Sequence, residues 1–242
     1  MTTGATRHVL TKGVDTVVYV YMSSEQQPDA TMSRAERLKS RSAERREAQR
    51  GRLRDLLLVV AEEQLRTRGY AAFSLREVAE ATQYTPTTIY RHFRDRDALI
   101  EAVLQKWFGH FARALDEADR PQLAPQERLM GIGDAYLRFA LAQPERYRIM
   151  FLDRPDIGVM PQEGAHFRDD PAFGVLIRAC EALFAAGQAG AHPPMKVAMM
   201  LWLGLHGVSA MAVASDILDA RAAHQLGMGM ATVLVAGLQS GG

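Results

Sequence analysis

Six of the eight residues from Thr85 to His92 carry a polar hydrogen: Thr85, Thr87, Thr88, Tyr90, Arg91 and His92. Hydroxyl, guanidinium and imidazole groups at this density suit phosphate oxygens and base edges, and threonine methyls suit the methyl of thymine. Only Ile89 and Phe93, four apart, remain to face a core. Tyr84 adds a further hydroxyl just ahead of the row. The stretch reads either as a solvated surface helix or as a helix made to enter a nucleic-acid groove.

The surrounding sequence supplies elements that would position it. Thr85 suits an N-cap and Pro86 the first helical turn, so a helix opens there and runs towards Phe93. Before it, Ser74 with Glu77 three residues on predicts a capping box, and Leu75, Val78 and Ala79 share one face. Thr82, Gln83 and Tyr84 form the break between these two helices. Upstream, Leu53, Leu56, Leu57, Val60, Ala61 and Leu65 mark an amphipathic helix that stops at Arg68-Gly69. Downstream, Asp95 caps a long helix from Arg96, with Leu99, Val103 and Phe108 facing inward. Three helices around a small core, the third exposed, make a helix-turn-helix.

Residues 53–103 resemble the DNA-binding domain of the TetR family of bacterial transcription regulators. The likeness lies in Gly69-Tyr70, in Phe73-Ser74-Leu75-Arg76-Glu77-Val78-Ala79, and in Thr85-Pro86-x-x-Ile89-Tyr90-Arg91-His92-Phe93 followed by Asp95-x-Asp97-Ala98-Leu99. The resemblance implies that Ser74, Arg76, Tyr90, His92 and Arg96 hold phosphates. Tyr84, Thr85, Thr87 and Thr88 are the candidates for reading bases, and Arg91 completes the candidate interface. One pair departs from the family pattern: Gln83-Tyr84 stands where Gly-Val is common. Gln83 lacks glycine's easy access to positive φ, so a strained or reshaped turn is expected.

With 242 residues, 48% of them apolar, the chain is long enough for this small domain and a larger one. One cysteine, Cys180, excludes an intramolecular disulfide and fits a reducing cytoplasm. The net charge of +1 hides an uneven distribution: between Ser33 and Asp55 nine Lys or Arg face four acids. That run, with Arg45 and Arg46 nearest the first helix, reads as an arm that neutralises phosphates or lies in a minor groove, or as a disordered, solvated charge run. Val197 to Ala214 has no formal charge over eighteen residues, but it includes His206, Ser209 and two glycines and lacks anchors. A buried interface helix is expected there, and no membrane contact. No secretory signal is recognised. Val18-Tyr19-Val20-Tyr21 permits codons that form a self-complementary site, GTATACGTATAC, so Met22 or Met32 is an alternative start to Met1.

Beyond the first domain the pattern is helical, with helices expected near 96–118, 126–142, 144–151, 170–187, 194–214 and 218–238. Tyr136, Phe139, Pro144, Glu145, Tyr147, Arg148, Met150 and Phe151, with Trp202-x-x-x-His206-Gly207, resemble a TetR-type C-terminal domain named for its Trp-His-Gly motif. That resemblance covers roughly 125–238 and implies a regulatory and dimerisation domain. Candidates for lining a ligand site are Trp107, Phe111, Tyr136, Phe139, Tyr147, Met150, Phe151, Phe173, Leu176, Cys180, Met199, Trp202 and His206. Their mostly apolar character suits a hydrophobic or aromatic effector, and each is equally readable as core. His206 is either a ligand contact or a core histidine packed on Trp202.

No H-E-x-x-H, metal-spaced pair or nucleophile elbow is found, and no cofactor is expected. His166, Asp169 and Asp170 form a polar cluster in a loop, best read as solvated. The expected architecture is all-α: a disordered extension over 1–44, a helix-turn-helix domain over 45–98, and a helical regulatory and dimerisation domain over 99–242. The expected function is a cytoplasmic, ligand-released homodimeric repressor that pairs through its last two helices and binds a palindromic operator in double-stranded DNA. The alternative is a helical ligand-binding or protein-interaction module without specific DNA binding.

Overall fold

The computed structural model describes residues 33–153, 170–215 and 217–239, all of whose regular elements are helices. In chain order these are α1 (Arg34–Arg68), α2 (Leu75–Thr82), α3 (Pro86–Tyr90), α4 (Arg96–Ala118), α5 (Pro125–Ala142), α6 (Pro144–Phe151), α7 (Pro171–Ala185), α8 (Pro194–Ala214) and α9 (Ala220–Gln239). The all-α expectation holds. The possible alternative start and the His166–Asp169 part of the polar cluster lie outside the described residues. Asp170 is described, and its carboxylate accepts from the Phe173 N–H at 2.7 Å as the N-cap of α7.

The chain divides into two compact units, Met1–Ala48 and Gln49–Gly242. Helix α1 begins well ahead of the expected boundary: residues 34–44 are helical, not disordered. Its start is closed by a reciprocal box. The Glu36 N–H donates to Ser33 Oγ at 3.2 Å, and the Ser33 N–H donates to Glu36 Oε2 at 2.7 Å. Its end is the expected glycine stop. Gly69, at φ 76°, donates to the Leu65 carbonyl at 2.8 Å.

In the second unit, Leu57, Ala61 and Leu65 of α1, Val78 and Ala79 of α2, Ile89 of α3 and Leu99, Ile100 and Val103 of α4 are buried in one core with Phe73 and Phe93. Burying a large apolar side chain contributes about 1.5–3 kcal/mol, so Ile89 and Phe93 suffice to hold the otherwise polar α3. Helix α4 continues through Trp107, Phe111 and Leu115 to pack on α5, α6 and α7. Helix α5 in turn packs on α7, α8 and α9. Two glycines admit close approach: a Cβ on Gly204 would lie 2.7 Å from Met230 Cε, and one on Gly227 would lie 2.8 Å from the Leu137 methyls.

Candidate nucleic-acid interface and aromatic regulatory cluster

The reading head is small. Helix α3 spans only Pro86–Tyr90, and its Arg91 and His92 sit in the turn that follows rather than on a longer helix. Tyr84, Thr85, Thr87, Tyr90 and Arg91 are exposed, whereas Thr88 and His92 are half-buried. Thr85 caps the helix, accepting from the Thr88 N–H, and its Oγ1 lies 3.0 Å from Thr88 Oγ1. Those two hydroxyls satisfy one another. Thr87, Tyr84 and Tyr90 stand outward without such a tie among the described residues.

Two expected roles are corrected. Ser74 occupies the N-cap position of α2, but its side chain makes no cap hydrogen bond. Buried Gln64 of α1 takes over, accepting from the Ser74 N–H at 3.2 Å and donating to Glu77 at 2.5 Å. Glu77 also accepts from Arg68, so it ties α1 to α2 instead of completing a box. The second correction concerns Arg96, expected on phosphate. Its guanidinium donates to the carbonyls of Phe73 and Tyr70 and lies 4.7 Å from the centre of the Tyr70 ring. It pins the start of α4 to the α1–α2 connection. Arg76 is by contrast highly exposed, paired among the described residues only with Glu80 one turn on.

The turn confirms the expectation set by Gln83. It adopts φ 58°, ψ 27° and is the one non-glycine residue at positive φ among the described residues. The Tyr84 N–H reaches back to the Ala79 carbonyl at 3.1 Å, closing the helix in the manner that glycine usually permits. A side chain in this left-handed region costs about 1–2 kcal/mol.

In the C-terminal half, eight of the expected ligand-site residues form one connected group of rings. Phe111 meets Tyr136, Phe139 and Phe151 at centroid distances of 5.2, 4.9 and 5.9 Å. Tyr147 meets Phe151 at 4.8 Å and His206 at 5.8 Å. Trp202 stacks on His206 at 5.2 Å and 17°. Phe173 joins the group through Trp202 at 6.3 Å. At its centre, the Tyr147 hydroxyl lies 2.6 Å from His206 Nδ1 and 2.8 Å from the Tyr136 hydroxyl. Burial lowers the pKa of His206 and so favours its neutral imidazole, whose Nδ1 shares a hydrogen bond with the Tyr147 hydroxyl. Burial also raises both tyrosines, Tyr136 well above its ordinary value, so these phenols stay protonated. The apolar surround therefore has one uncharged polar centre.

Met150, Leu176 and Cys180 lie buried in the same core, with Met199 packed against it. Burial pushes the Cys180 thiol up to about 12, which suits an inert packing residue. Trp107 lies outside this ring group. It is fully buried, and its indole N–H donates to Glu62 of α1 at 3.0 Å. Glu62 also pairs with Lys106 of α4 at 2.7 Å and Arg146 of α6 at 2.8 Å. Burial opposes the charge on Glu62, but hydrogen bonds from Lys106 and Trp107 and the charges of Lys106 and Arg146 outweigh it and lower its pKa. One carboxylate thus joins three helices.

Two family profiles match, "Bacterial regulatory proteins, tetR family" over residues 57–103 and "Tetracyclin repressor-like, C-terminal domain" over residues 129–234. The chain belongs to the TetR family of transcriptional regulators. Among curated relatives of this TetR-family chain, the HTH-type transcriptional activator FasR of Mycolicibacterium smegmatis is 25% identical over 129 residues, 52% of this chain and 59% of that protein. The HTH-type transcriptional repressor KstR2 of the same species is 30% identical over 83 residues, 33% of this chain and 38% of that protein. The chain thus spans less than two thirds of the length of these relatives. A solved TetR-family regulator from Pectobacterium atrosepticum shares the fold, with a TM-score of 0.63, 20% identity, and coverage of 79% of this chain and 96% of that one.

The helix-turn-helix of this TetR-family protein coincides with the first profile, and the aromatic group falls mainly within or beside the second. Sequence reasoning missed Gln64, Glu62 and Arg146. Each is an ordinary polar residue on an amphipathic helix, and only the packing of distant helices brings their partners near.

Proposed function

We propose that the protein is a homodimeric, ligand-released repressor that binds a palindromic operator. The exposed row Tyr84, Thr87, Tyr90 and Arg91 around a helix locked by Ile89 and Phe93 carries the DNA-binding part of this reading. Tyr84 and Thr87 read base edges, and Thr85 and Thr88 offer their methyl groups. Tyr90, Arg91, His92 and Arg76 hold phosphates, with Arg45 and Arg46 adding positive charge. Ser74, whose hydroxyl makes no cap bond, joins the phosphate-holding group, and Arg96 supports it by pinning the start of α4.

The effector is a hydrophobic or aromatic molecule held against the ring group, with the Tyr136–Tyr147–His206 centre offering one uncharged hydrogen-bonding partner. Its entry displaces α6, which carries Tyr147 and Phe151 on the aromatic side and Arg146 on the Glu62 side. The shift passes to α1 and α4 through Glu62, moves the reading heads and lowers DNA affinity.

Dimerisation through α8 and α9 is supported by their exposed apolar positions, Met200, Leu203 and Met211 on α8 and Leu226 and Val233 on α9. A Cβ on Gly207, Gly229 or Gly237 would meet nothing within 4 Å, which leaves room for a second copy. The half-exposed character of α8 is then that of a cytoplasmic dimer helix rather than a membrane span.

The reading is tested by measuring binding to the duplex selected by the wild-type chain. Tyr90→Ala with His92→Ala should weaken binding to all sequences alike, whereas Thr87→Val should change sequence preference. Identical effects of the two variants would refute the division between positioning and reading.

A further inference from the structure

The basic run ahead of the reading head is a helix, and that changes what it can touch. From Arg34 to Arg52 almost every side chain is exposed, and the box between Ser33 and Glu36 closes the first turn. At about 100° per residue, within the first unit Arg34, Arg37, Arg41 and Arg45 fall on one stripe, and Lys39 and Arg46 fall on a second. Glu36, Glu44 and Glu47 share a separate sector. The charges are therefore segregated by face. Among the described residues, none of the four arginines on the first stripe forms an ion pair.

The spacing also works against an isolated helix. Arg37, Arg41 and Arg45 follow one another at four residues, as do Arg46, Arg50 and Arg54. Like charges at that spacing repel, and a row of anions relieves the repulsion. Eight of the nine cations are arginines, whose planar forks match phosphate oxygens. A helix about 10–12 Å across does not enter a minor groove about 6 Å wide, so the minor-groove arm is set aside. From Arg34 to Arg45 the stripe extends about 16 Å at the helical rise, enough to address several phosphates.

We propose that residues 34–48 form a phosphate-tracking helix that binds the backbone of duplex DNA through the Arg34–Arg37–Arg41–Arg45 stripe, in addition to the contacts of the reading head. The proposal rests on the DNA-binding reading above and adds a sequence-independent part to it.

The test is equilibrium binding of the full chain to a 40-bp duplex of random sequence over a series of salt concentrations. Each phosphate neutralised contributes about 0.9 to the slope of log affinity against log salt, so replacing Arg34, Arg37 and Arg41 together by Gln should reduce that slope by about 2–3. Binding at the lowest salt should weaken at least tenfold, while the triple Lys variant keeps the wild-type slope. A Gln variant with an unchanged slope overturns this proposal alone and leaves a solvated charge run. A wild-type chain that binds no duplex overturns the DNA-binding reading as well. A Gln variant that loses binding to phosphatidylserine vesicles while keeping its slope on DNA also overturns it, in favour of a membrane surface.

Discussion

Gln83 shows how a single residue records a local cost. The tight turn before α3 needs a left-handed residue, and the sequence supplies one with a side chain. Gln83→Gly should therefore stabilise the fold by about 1 kcal/mol, raising Tm by about 2–4 °C for a chain of this size. An unchanged or lower Tm in thermal unfolding would show that the glutamine side chain compensates for its backbone. The strain is legible in the sequence because φ at a turn is a local property. Arg96 is not legible in the same way: the carbonyls it binds lie 23 and 26 residues earlier in the chain.

His206 carries a second prediction at this scale. Burial depresses its pKa, so the folded protein resists a proton that the unfolded chain accepts near pH 6.5. The stability is fully present above that value and declines as pH falls below it. His206→Gln should flatten the fall in Tm between pH 7 and 5. His110, also lowered, first by burial and then by Arg113 and Lys106, is common to both proteins and cancels in the comparison. Parallel pH profiles for wild type and variant would contradict the role given to the buried imidazole.

Among the elements, α6 is the short piece with contacts in both directions. It places Tyr147 in the aromatic group and Arg146 on Glu62. Glu62→Gln and Arg146→Met should each alter affinity for the selected duplex several-fold, although Glu62 lies outside the proposed DNA contacts. The double variant should do no more than the stronger single one, giving a coupling of about 0.5–3 kcal/mol in a double-mutant cycle. Strictly additive effects would break the proposed link from α6 to α1. The bounds of α6 can be read from Pro144 and the apolar spacing, but its tie to α1 cannot. The ring group lies between these cases: its members are visible as aromatic positions and a histidine, while separating Trp107 from them requires knowing where its indole N–H points. The early helix start escapes the sequence for a simpler reason. A run dense in like charges looks disordered by composition, and the Ser33–Glu36 box is a weak signal beside it.

For the whole molecule, the helical architecture and the order of its elements follow from periodicity and from proline and glycine punctuation. The exposed apolar positions of α8 and α9 are those that the proposed dimer would cover. A two-fold dimer presents two reading heads to half-sites about 34–36 Å apart, one helical turn. The sign of regulation is a separate matter, as an activator and a repressor stand side by side among the relatives. The most direct measurement is selection from a pool of random duplexes by the wild-type chain and by a Leu203→Arg, Val233→Arg variant. The wild type should enrich a palindrome with half-sites one turn apart, and the variant, monomeric in sedimentation, should bind that duplex at least tenfold more weakly. A pool that shows no enriched sequence, or a dimeric wild type that selects only an asymmetric site, would contradict the paired reading heads.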